Sequence, residues 1–161
     1  MKIQQMYTEG VNRINDGEFL SSKREGDSGY LLYLLGFELM LKCTLLLEQK
    51  IELKNHKYYG MYCSLNRELK KKIISKSQEI SQIFNINERV QKLLETFEYN
   101  FIRLRYPYQS YENMNESEYK EYSILYAELG FPEGEAEFEY YPEELRGITM
   151  ALREHIESKI C

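Results

Sequence analysis

The sequence predicts an all-α protein, a single helical bundle of about five to six helices. Three observations carry that expectation. Apolar residues recur at spacings of three and four along most of the chain. The only three prolines, Pro107, Pro132 and Pro142, lie in the last third, so nothing before residue 107 forbids long helices. With 161 residues, 43% hydrophobic and 29% charged, the chain can bury one real core, which argues against disorder, a collagen-like repeat or a disulfide scaffold.

Each element has its own justification. Ile3, Met6, Tyr7, Val11 and Ile14 make an amphipathic first helix, expected to loosen around Asp16-Gly17. Lys23 to Ser28 reads as a turn, and a second helix runs from about Gly29 to Lys50. That helix is apolar nearly all round, which places it at the bundle centre. Its most apolar part, Tyr30 to Leu47, is broken by Glu38 and Lys42, so it reads as too short and too charged for a membrane span. His56 to Gln82 suggests one or two shorter helices. Val90, Leu93, Leu94, Phe97, Phe101 and Leu104 stripe the next helix, which must stop near Tyr106 ahead of Pro107. Asn85 and Glu88 have capping-box spacing at its start. Asn115 and Glu118 repeat that spacing before a helix over Glu116 to Leu129, with Tyr119, Tyr122, Tyr126 and Leu129 on one face. Pro142, Glu143 and Glu144 open a last helix whose inward face is Leu145, Ile148, Leu152 and Ile156.

Charge narrows the function classes. The formal net charge of −5 excludes a basic nucleic-acid coat. Residues 1–100 hold 15 basic and 13 acidic side chains, against 6 and 13 in residues 101–161. Between Glu112 and Glu144, 11 acids face the single base Lys120. A solvated face explains such a run; a surface that docks a basic protein or mimics a nucleic-acid backbone is the sharper reading. Cys43, Cys63 and Cys161 form no CxxC pair and are odd in number, as expected of free thiols in a reducing cytoplasm. Met1 to Met6 lacks the basic and apolar regions of a secretory signal. No His, Cys, Asp or Glu group has metal-ligand spacing, and no Gly-rich phosphate loop occurs, so neither a metal nor another cofactor is expected.

The chemistry-bearing residues are few. Glu38 and Lys42, one turn apart within the most apolar helix, must be paired there. Taking Phe97, Phe101 and Leu104 as the core stripe, Arg105 falls at its edge and Arg103 opposite, so Arg105 is the expected second partner of Glu38. A guanidinium within about 4–6 Å would keep such a carboxylate ionised. A buried Glu38–Lys42–Arg105 network that only fixes the packing of two helices is the first explanation of the pattern. His56, in the turn after the second helix, and His155, at the edge of the last helix, are the only histidines.

Gly36-Phe37-Glu38-Leu39-Met40-Leu41-Lys42, followed by Asn55-His56 and by Leu104-Arg105-Tyr106-Pro107, resembles the HEPN-domain family over roughly residues 28–108. Length and charge give one domain over 1–161, HEPN-like by this resemblance, with 107–141 as a Tyr/Glu-rich acidic insertion within it. The resemblance also implies a homodimer from a prokaryotic phage-defence or toxin–antitoxin-type system. Many HEPN proteins are metal-independent ribonucleases with an Arg followed about four to six residues later by a His. That histidine is missing after both Arg103 and Arg105. The first reading is therefore a cytoplasmic binding protein without an intact RNase motif, recognising a protein partner or RNA, with no membrane association. Its recognition surface would include Tyr106, Tyr108, Tyr111, Glu137 and Glu139. A divergent endoribonuclease is the alternative, using Arg105 or Arg103 with His56, Tyr108 or Lys42. An acidic nucleic-acid-mimicking inhibitor is the third.

Overall fold

In a computed structural model, the structure describes residues 1–106, 109, 112–129 and 138–160, with α6 side chains described at 116–121 and 124. The described residues form helices and connections only: α1 (Lys2–Lys23), α2 (Ser28–Gln49), α3 (Tyr58–Ser64), α4 (Arg67–Ser81), α5 (Ile86–Arg103), α6 (Glu116–Leu129) and α7 (Pro142–Ile160). The expected all-α bundle is present, with seven helices among the described residues in place of five to six. The region from 56 to 82 accounts for part of the difference. Leu65 and Asn66 take extended conformations there, and the Asn66 side chain accepts from the Leu69 N–H at 2.9 Å to start a separate α4.

α1 and α2 form an antiparallel pair held close by glycines. A Cβ built at Gly17 would lie 2.6 Å from the Gly29 carbonyl oxygen, and one at Gly36 would lie 2.9 Å from that of Gly10. This contact corrects the expected loosening at Asp16-Gly17: Gly17 is buried inside a continuous helix because α2 lies directly on it. The caps divide similarly. Asn115 and Glu118 form the reciprocal box, at 2.8 and 3.0 Å, whereas the Asn85 side chain makes no cap bond.

α2 touches α1, α3, α5 and α7. Leu34, Phe37, Met40, Cys43 and Leu45 are fully enclosed. α2 is long and apolar enough to cross a membrane by length and composition, contrary to the reading that Glu38 and Lys42 disqualify it. Those neighbouring helices account for its apolarity within the bundle. Burial also pushes the Cys43 thiol up to about 11. Cys63 is an exposed free thiol. The α7 face carries Leu145, Ile148, Leu152 and Ile156 inward, as expected.

Candidate functional site

Gly36 faces α1, and two residues later a helix has turned by about 200°. Glu38 is thereby carried away from α1, and it is buried, only 3% exposed. Its carboxylate is held from two sides. Lys42 Nζ donates to Oε1 at 2.7 Å, one turn along α2, and His56 Nδ1 lies 2.8 Å from Oε2. The second partner comes from the connection between α2 and α3. There Asn55 Oδ1 accepts from the Lys57 N–H at 3.1 Å, a local turn that brackets His56. On α5, Glu98 accepts from the Tyr58 N–H at 3.0 Å and so pins the start of α3 beside it.

Aromatic rings pack beneath this cluster. Phe97, Phe37, Tyr58 and Phe101 follow one another at centroid separations of 5.3 to 6.1 Å, and the His56 ring lies 5.3 Å from Phe101. The Arg105 guanidinium sits over the same Phe101 ring at 5.0 Å. Phe101, itself buried, is therefore contacted by both an imidazole and a guanidinium. Burial, and secondarily the Glu38 and Glu98 carboxylates, push the Tyr58 phenol well above its ordinary value, so it stays a neutral core hydroxyl.

The expected network is partly corrected by this geometry. Glu38 and Lys42 pair as foreseen, but the second partner of Glu38 is His56, and Arg105 goes to Phe101. The physical reason is position: Arg105 lies beyond the end of α5, exposed, whereas the 50–57 connection delivers His56 directly to the carboxylate. Arg103 is exposed over Tyr99, with its guanidinium 5.9 Å from that ring. It is not part of the cluster around Phe101.

Of the surface expected to recognise a partner, Tyr106 is 54% exposed. Glu139 is half-buried and already engaged: its carboxylate accepts from the Tyr141 hydroxyl, lies 3.9 Å from Lys92, and its backbone oxygen accepts from Asn100. Tyr108, Tyr111 and Glu137 lie outside the described residues, as do Cys161, most of the acidic loop around Glu133 and the side chains of Tyr122, Tyr126 and Leu129.

Sequence reasoning did not anticipate that α2 would bind both histidines. His155 Nε2 lies 2.9 Å from Glu48 Oε1, with His155 buried at 7% exposure. The signal was weak: Glu48 sits in a partly polar last turn of α2, far in sequence from α7. Among the described residues no group of His, Cys, Asp and Glu is arranged to hold a metal.

Chemically, the Glu38 cluster is an oriented imidazole. A carboxylate at Nδ1 fixes the ring and its neutral tautomer, leaving Nε2 as the second nitrogen for a ligand or proton. The His56 side chain is 46% exposed, so a ligand can reach the ring. No family model, no curated protein and no solved structure matches this chain.

Proposed function

We propose that this chain is a HEPN-like helical-bundle protein of a prokaryotic defence or toxin–antitoxin-type system, cytoplasmic and homodimeric, that binds a phosphate-bearing ligand, RNA first among them. One observation carries the reading: His56, held by buried Glu38, and Arg105 are both exposed and both pack on the ring of Phe101. The Arg105 guanidinium supplies the directed N–H donors that a phosphate requires, and His56 Nε2, with Nδ1–H given to Glu38, accepts from a hydroxyl of the ligand such as a ribose 2′-hydroxyl. The ligand would bind without being cut, since no histidine follows either arginine at the ribonuclease spacing.

A second reading has specific support. Nδ1 of His56 is taken by a carboxylate while the ring stays reachable, which is how a general base is positioned. With Arg105 holding the phosphate, His56 Nε2 would take the ribose 2′-hydroxyl proton in a metal-independent endoribonuclease.

One experiment separates the readings. The protein is incubated with total RNA and a defined tRNA in EDTA, beside His56→Ala and Arg103→Ala/Arg105→Ala, with binding followed by fluorescence anisotropy and cleavage by gel. Binding that weakens with salt and in His56→Ala, without cleavage, supports the first reading. Cleavage abolished by His56→Ala establishes the second. Neither binding nor cleavage overturns both.

A further inference from the structure

A different part of the bundle carries an unassigned site. Along the outer face of α5, closed on one side by the segment that leads into α7, lies a groove of about 530 Å³ whose lining includes Glu88, Lys92, Glu95, Asn100 and Glu139. The lining is rich in hydrogen-bond acceptors. Lys92, the single cation among the described lining residues, already faces the Tyr141 ring at 5.5 Å and Glu139 at 3.9 Å. Glu88 and Glu95 are exposed on the same face, two turns or about 10 Å apart along the helix axis.

Asn100 supplies an independent observation. Its side chain is fully buried, and Nδ2 donates at 2.7 Å to the Glu139 carbonyl oxygen and at 3.0 Å to the Tyr30 hydroxyl. The carbonyl of Glu139 can only accept, so the amide orientation is settled and both Nδ2 hydrogens are used. Oδ1 is left as a buried acceptor without a donor. Buried carbonyl groups rarely stay unpaired, so this one calls for an N–H or O–H donor.

We infer that this groove binds a small linear alkylamine with at least two ammonium groups, such as a di- or polyamine. One ammonium donates to the Asn100 and Glu139 end, and the next lies between the Glu88 and Glu95 carboxylates. Primary ammonium groups fit because each offers three donors and a full charge to a lining that has excess acceptors. The Thr96 and Tyr99 side chains, which also line the groove, give the methylene chain an apolar strip.

The test is calorimetric titration of the full chain with spermidine, putrescine and Mg²⁺. Saturable one-to-one binding of spermidine is expected. Glu88→Gln/Glu95→Gln, which alters exposed residues, should weaken it by about tenfold. The control Glu116→Gln/Glu121→Gln removes the same charge from exposed positions on α6 and should leave it unchanged. Spermidine binding that is absent, that both double variants weaken equally, or that equimolar Mg²⁺ displaces would overturn the assignment, the last two by reducing it to general attraction for an acidic protein. Unfolding curves on both double variants separate lost binding from lost fold.

Discussion

Two carboxylate–imidazole pairs hang from the same helix, and they are built inside out from each other. At Glu38–His56 the carboxylate is the buried partner and the imidazole is open, with side-chain exposures of 4% and 46%. At Glu48–His155 the order inverts: the imidazole is buried at 6% and the carboxylate reaches solvent at 22%. The contact distances are nearly equal, 2.8 and 2.9 Å. Geometry of the pair alone therefore does not mark a site. What marks it is which member faces outward, because a buried anion orients an exposed ring for a ligand, whereas a buried ring ties two helices together.

The largest expected effect breaks the first pair. Glu38→Ala leaves Lys42, with a side chain only 14% exposed, without its counter-charge, and releases His56 at the same time. Removing one partner of a buried ion pair costs on the order of 3 kcal/mol, to be read as a lower midpoint in urea unfolding. Next comes the second pair. His155→Ala opens a hole between α7 and α2 and removes the Glu48 contact, for about 2 kcal/mol, and RNA binding by the folded variant should not change. Binding that falls with His155→Ala would make the two pairs functionally equivalent and end the distinction drawn from their exposure.

His56→Ala reverses that balance. The ring is half in solvent, so its loss costs about 1 kcal/mol or less, while ligand binding through the Phe101 surface falls about tenfold. A readout without mutation sharpens the same contrast. Each neutral imidazole is protonated on the nitrogen that faces its carboxylate, so nitrogen-15 spectra above the usual histidine titration range should show His56 protonated at Nδ1 and His155 at Nε2. Identical tautomers would remove one of the two hydrogen bonds.

Much of this was legible before any coordinates. Period-3.6 apolar patterns mark α1, α5 and α7 because each is half-buried, so its two faces differ chemically. The centrality of α2 follows from its lack of a polar face. Glu38–Lys42 is readable because both residues lie on one helix, where spacing is geometry. Glu38–His56 is not, because the connection after Gln49 sets where His56 lands, and a loop carries no period. Gly17 misleads for a related reason: a glycine that permits close helix approach has the same letter as one that ends a helix, and only Gly29 across the seam distinguishes them. Asn100 gave no signal at all, since its partners come from the start of α2 and from the segment before α7.

Arg105 is where sequence and structure disagree most usefully, and it carries the smallest expected effect on stability. As the second partner of Glu38 it would be an internal counter-charge, and Arg105→Ala would unfold the chain as severely as Glu38→Ala. Lying exposed over the Phe101 ring instead, it gives up one cation–π contact when truncated, about 0.5–1 kcal/mol. A midpoint shift of that size, together with ligand binding weakened as much as in His56→Ala, would place both side chains on one recognition surface. Full stability loss would return Arg105 to the interior. A Lys in its place separates charge from shape: Arg105→Lys keeps the cation but not the planar fork, so it should retain stability and recover only part of the binding if phosphate is gripped by paired N–H groups.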